Sequence, residues 1–116
     1  MKKTKVYVAS PVRPVLEDDA LDDNLAIAKG MALSGCLTVK GMGMLPVSPI
    51  LTFDGVYDEF IERETIDKAC EALLLVCDAI YVVPTPYNAQ SKGIAQELEI
   101  AKKNGIKILE VRHENF

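Results

Sequence analysis

DAIYVVPTPYNAQSKGIAQELEIAKKNGIKILEV, residues 78–111, carries three patterns in one unbroken run. DAIYVV (78–83) is almost wholly apolar and rich in β-branched and aromatic residues, which makes it the clearest strand in the chain. A turn-rich segment follows at 84–90. From Ser91 onward Ile94, Leu98 and Ala101 recur at i, i+4 and i+7, the spacing of one buried helical face, and Gly105 ends that helix. KILEV (107–111) then reads as a short last strand. A strand, a helix of ten or more residues and a second strand form a βαβ crossover, and such crossovers join parallel strands.

The same alternation extends toward the N-terminus. KVYVA (5–9) predicts a first strand ending at Ser-Pro, and residues 14–23 an acidic loop. Leu21, Leu25, Ala28 and Ala32 form a helical stripe that ends by about Lys40. Gly41-Met-Gly punctuates, MLPVS (44–48) is a second strand, and a polar, aromatic loop follows Pro49. Ile66, Ala69, Cys70, Leu73, Leu74 and Cys77 mark a further helix. The expectation is a single α/β domain over residues 1–116: a doubly wound parallel sheet of the Rossmann or flavodoxin type, four or five strands, with helices on both faces.

At 116 residues the chain suffices for one core, and a hydrophobic fraction of 49% with 26% charged residues is that of a globular protein. The net charge of −4 argues against a nucleic-acid polymer as partner, which calls for a basic face, but leaves room for phosphate on a small ligand. The apolar run near the N-terminus is too short for a signal segment. Nothing approaches the roughly 20 apolar residues of a membrane span, so no membrane partner and a cytoplasmic location are expected. Cys36, Cys70 and Cys77 form no CxxC pair; Cys70 and Cys77, seven apart, read as small core residues on one helical face. With His113 the single histidine, no metal site and no cofactor are expected.

In an open parallel sheet the ligand crevice lies outside the carboxyl ends of the strands, where the strand order reverses. For the order 2-1-3-4 it is bounded by residues 10–13 and 84–93. Glu99 points away from the apolar stripe and has Lys103 four residues on, so it reads as a surface carboxylate. Glu97 lies closer to the stripe, its i+4 neighbour is Ala101, and its side chain tilts toward the helix start and the crevice. A half-buried carboxylate without a cation is either functional or snorkels to water, and on the residues alone the two readings weigh equally.

VYVASPVRP (6–14), CDAIYVVP (77–84) and SKGIAQELEIAKKNGIKI (91–108) together resemble the nucleoside 2-deoxyribosyltransferase-like superfamily, which includes the 2'-deoxynucleoside 5'-phosphate N-hydrolases. The resemblance covers most of the chain. It implies a nucleoside or nucleotide as small-molecule partner, and cleavage or transfer at an N-glycosidic bond through a glutamate nucleophile and a glycosyl-enzyme. It also implies a homo-oligomer, most simply a dimer, for which the aromatic loop 53–60 is the candidate contact.

In that family a Ser- or Asp-x-Gly-x-x-x-Glu segment supplies the nucleophile; Ser91 to Glu97 matches it, so the nucleophile falls on Glu97. Tyr7 matches the tyrosine on the first strand and is the candidate donor to Glu97; on its own it reads equally as a core aromatic. Arg13 matches an arginine that holds a 5'-phosphate, and reads otherwise as a solvated arginine answering the acidic run 17–23. Ser91 agrees with the phosphohydrolase branch and also reads as an N-cap, while Gly93 leaves room for a ligand against the backbone. Ser10 and Pro11 stand where the family often has Gly and Ser, and Asn24 opens the first long helix within reach of the same loops. Where enzymatic members carry an aspartate this chain has Cys70, with Asp67 one turn earlier as the candidate substitute. Loss of that aspartate keeps a second class of function open: a nucleotide or ADP-ribose-like binder without turnover.

Overall fold

The computed structural model describes residues 3–110. Its sheet has four strands, all parallel, in the order β2-β1-β3-β4, with β1 Lys5–Ala9, β2 Leu45–Val47, β3 Ala79–Val82 and β4 Lys107–Leu109. The last predicted strand therefore stops earlier than expected, and its end at Val111, like His113, lies outside the described residues. β1 and β3 are central and buried on both sides, so both read as continuous apolar runs.

Alternation along β1 sorts the core into two layers. Tyr7 and Ala9 join Ile80, Leu74, Ile94 and Ala101 beneath α4 (Arg63–Leu75) and α5 (Lys92–Lys103). Val6 and Val8 join Ala79, Tyr81, Val83 and Val39 beneath α2 (Asn24–Gly41) on the opposite face. This is the doubly wound α/β arrangement predicted from the sequence.

α5 follows its predicted stripe, with Ile94 and Ala101 buried and Leu98 packed against them. Its C-terminus turns through Gly105 at φ +67°, a conformation that favours glycine, and Ile106 N–H donates to Ala101 O at 2.9 Å across that turn. α2 departs from expectation. It starts at Asn24, so Leu21 precedes it, and its buried face is Ala28, Ala32, Gly35 and Val39 while Leu25 is half exposed. Small residues face inward because α2 lies hard against the sheet: a Cβ on Gly35 would sit 2.3 Å from Val83 Cγ2 and 2.6 Å from Val8 Cγ1.

Two short helices interrupt segments expected to be loops, α1 (Arg13–Leu16) and α3 (Pro49–Phe53), the second capped by Ser48 Oγ accepting from Leu51 N–H at 3.2 Å. Cys70 and Cys77 do not share a helical face, because α4 ends at Leu75; Cys77 is buried beyond it while Cys70 is only partly covered. At the sheet's amino edge Lys5 and Asp78 are bonded reciprocally. Asp78 N–H donates to Lys5 O and Lys5 N–H to Asp78 Oδ2, both at 2.8 Å. No helix among the described residues is long and apolar enough to cross a membrane.

Candidate functional site

A cavity of about 830 Å³ opens at the carboxyl ends of β1 and β3, where strand order reverses. Its wall draws on the end of β1 (Ser10), α1 (Arg13), the 53–59 loop, one face of α4 (Arg63, Asp67, Cys70) and the first turns of α5 (Ser91, Gly93, Glu97). β1 places Tyr7 behind that wall, against Glu97, because odd-numbered residues of that strand face α4 and α5; Tyr7 itself is fully buried and does not line the cavity.

Tyr7 is fully buried and its hydroxyl donates to Glu97 Oε2, across 90 residues of sequence. No salt bridge to Glu97 occurs among the described residues. Burial raises the Glu97 carboxyl to about 7; the Tyr7 hydrogen bond pulls it down and the nearby charge of Asp67 pushes it up. Burial, then the Glu97 charge, holds the Tyr7 phenol far above its usual range, so Tyr7 stays a neutral donor. Cys70 completes the group. Burial and the Glu97 charge push its thiol up to about 12, and it too interacts with the Tyr7 hydroxyl. The arrangement is a carboxylate poised between its two protonation states, held by a neutral donor, at the base of an open cavity.

Ser91 is buried and caps α5, its Oγ accepting from Ile94 N–H at 3.2 Å, and it lines the cavity as well. Gly93 has space around it: an added Cβ would meet only Ser91 Oγ, at 3.9 Å, so packing within the chain does not require glycine there. Ser10 Oγ is buried on the cavity wall with no hydrogen-bond partner. Arg13 also lines the cavity. Its Nη2 donates to Glu59 O at 3.0 Å, its guanidinium lies 5.1 Å from the Phe60 ring centre, and Nη1 is 3.9 Å from Glu17. The cavity arginine and the arginine answering the acidic run are thus the same arrangement. Asp67 lines the cavity and is 3.9 Å from Arg63 Nε.

Besides Tyr7, two residues singled out in the sequence do not line the cavity. Pro11 is packed inside the fold. Asn24 directs its Nδ2 to the carbonyls of Val15, Asp18 and Leu16, at 2.7, 2.8 and 3.2 Å. It ties down the loop before α2, and its amide hydrogens are committed there. That loop is tied across the crevice as well, because Tyr87 Oη donates to Asp18 Oδ2 at 2.5 Å and thereby lowers the Asp18 carboxyl.

Arg63 and Glu59 are cavity residues that sequence reasoning did not single out. The signal for Arg63 was present: positions 63, 67 and 70 fall at i, i+4 and i+7 on the α4 face that carries Asp67 and Cys70. Glu59 sits outside any helix or strand and leaves no periodic trace. Among the described residues no group of three His, Cys, Asp or Glu side chains converges as metal ligands. No protein-family model matches this sequence, and no curated protein matches it either.

Proposed function

We propose that this protein cleaves or transfers the N-glycosidic bond of a nucleoside or nucleoside 5'-monophosphate, with Glu97 as nucleophile. The observation that carries the reading is the lightly solvated Glu97 carboxylate, hydrogen bonded by neutral Tyr7 and with no salt-bridge partner among the described residues, at the base of a cavity of small-molecule size. A Glu97 oxygen attacks the anomeric carbon as the bond to the base nitrogen breaks; the bonding pair leaves with the base, which takes up a proton. The resulting glycosyl ester is opened by water or by an incoming base. Glu97 is esterified during this second step, so the proton of the attacking water passes to Asp67 or to solvent, and opening of the ester returns the free Glu97 carboxylate. Tyr7 orients the carboxylate, and Ser91 and Arg13 stand where the sugar and its 5'-phosphate are held. Asp67, on the α4 face, stands in for the carboxylate that Cys70 replaces.

Cys70 favours a second reading. A thiol held near 12 beside Glu97 is a poor proton donor to a leaving base, and a cavity lacking that donor suits a nucleotide binder that does not turn over. In either case the protein works as a homodimer in which the loop 53–60, with Val56 and Phe60 largely exposed, meets the neighbouring copy. Incubation with a panel of nucleosides and nucleotides, read by HPLC for free base and by thermal shift for binding, separates the readings. Base release that disappears in Glu97→Gln supports the first, binding without release supports the second, and neither sinks both. Light scattering giving a monomer at micromolar concentration removes the dimer.

A further inference from the structure

Arg13 and Arg63 come from distant parts of the chain and converge on one residue, Glu59. Arg13 Nη2 donates to its backbone carbonyl at 3.0 Å, and Arg63 Nη1 lies 3.7 Å from its carboxylate. The remaining ion pairs of the cluster, Arg13 with Glu17 and Arg63 with Asp67, are both 3.9 Å long. Hydrogen bonds to a guanidinium fall at about 2.7–3.2 Å, so these carboxylates balance charge without saturating the donors. Accordingly Arg13 Nε and Arg63 Nη1 are buried with no hydrogen bond, and so is Ser10 Oγ, on a residue only 8% exposed. Three buried polar atoms that line one cavity without a hydrogen bond are an expensive arrangement unless a ligand rich in acceptors completes it.

We infer that Arg63 is the second arm of a two-arginine seat for the ligand's phosphate, and that the Glu59 carboxylate is an internal place-holder which the phosphate displaces. The substrate class is thereby narrowed to phosphorylated nucleosides; in this respect the inference rests on the proposed function, whereas phosphate binding by the seat does not. Phosphate has the charge and the number of oxygens to engage both planar forks and Ser10 together, which one carboxylate at 3.7 Å does not. The two anchors of Arg13 are independent of the Glu59 carboxylate. The first is the backbone carbonyl of Glu59 and the second the Phe60 ring. The carboxylate can therefore swing out while Arg13 stays in place. Glu59 is also a weak incumbent, since burial raises its carboxyl against the lowering effect of both arginines. The backbone that bears it is braced separately by Asp58 Oδ1, which accepts from Phe60 N–H at 2.9 Å and Ile61 N–H at 3.0 Å.

The test is isothermal titration of the full chain, at low salt, with inorganic phosphate, a nucleoside 5'-monophosphate and the matching nucleoside. Arg63→Gln should weaken phosphate and nucleotide binding by about 10- to 100-fold, the loss of one charge-assisted contact pair, and leave the nucleoside unaffected. Arg63→Lys should recover part of the loss, because it restores the charge without the planar fork. Glu59→Gln keeps the carbonyl that holds Arg13 and removes only the competing charge, so both phosphate ligands should bind severalfold tighter. A misfolded variant cannot imitate that gain. Unchanged phosphate affinity in Arg63→Gln, weaker binding in Glu59→Gln, or no phosphate binding by the wild type would each overturn the inference. Arg63-dependent nucleotide binding without base release leaves the seat standing and sinks the glycosidase. Base release with affinities indifferent to phosphate does the reverse.

Discussion

Glu97→Gln separates a buried charge from the shape that carries it. The amide keeps an oxygen for the Tyr7 hydroxyl but never ionises. In the wild type the Glu97 carboxyl is displaced by burial from 4.5 to about 7. Between these values the folded protein retains a proton that the unfolded chain has released, so this residue's contribution to stability is fully present below about pH 4.5 and lost as pH rises through 7. That rise corresponds to about 3 kcal/mol, and water entering the open cavity brings the figure toward about 2. Glu97→Gln lacks this titration. Relative to wild type it should gain almost nothing near pH 4 and about 2–3 kcal/mol near pH 8.5, roughly 8–15 °C in melting temperature for a chain of this size. Base release should fall by several orders of magnitude in the same protein. Calorimetric melts at the two pH values, with HPLC on the same samples, check both. A variant that melts below wild type near pH 8.5, or gains equally at both pH values, would mean that Glu97 is a structural acceptor and refute the burial argument.

Tyr7→Phe removes the one interaction that lowers the Glu97 carboxyl, so its titration, followed by NMR of labelled glutamate, should move above 7; an unmoved titration would show that the hydroxyl does not control the ionisation. The rising limb of the pH–activity profile should move with it. Cys70→Asp places a carboxyl beside Tyr7 and Glu97 and should raise base release while lowering the melting temperature; stability lost with no gain in activity would argue for the non-catalytic binder. Gly35→Ala drives a methyl group into Val83 and Val8 and should cost about 1–3 kcal/mol by urea unfolding, with an unchanged midpoint showing that α2 is free to lift from the sheet.

The pairing of Tyr7 with Glu97 was expected from the family resemblance, whereas the residues alone read Tyr7 equally as a core aromatic. The 3.6-residue period of α5 does aim Glu97 toward the crevice, but β1 is apolar on both sides and its pattern does not say which face Tyr7 takes. α1 and α3 were missed because four or five residues are too few to display a helical period, although each carries a proline in its first turn, a usable start signal. The face of α2 was placed only in part, for a different reason: Ala28 and Ala32 of the expected stripe are buried, but Leu25 is half exposed and Leu21 precedes the helix. Leucines and small residues alternate around a helix that is apolar on every side, and hydrophobicity alone cannot say that the small ones must face a sheet this close. The Arg13–Glu59 contact bridges 46 residues between two irregular segments, where no periodicity reports on direction.

The reciprocal pair between Lys5 and Asp78 bears on how reliably the chain finds its fold. β1 and β3 are apolar on both sides, so a pairing shifted by one residue would still bury hydrophobic side chains on each face, and burial alone discriminates weakly against it. Such a slip would exchange the two sides of β1, sending Tyr7 under α2 and leaving Glu97 opposite a valine. The Asp78 side chain accepts the Lys5 amide only in the native alignment, where Val6 stands beside Ala79 and Tyr7 beside Ile80. An exposed aspartate at the far edge of the sheet thus acts as a proofreading mark during assembly. Its removal should show as a fraction of refolded molecules that are compact but have lost the pairing of Tyr7 with Glu97.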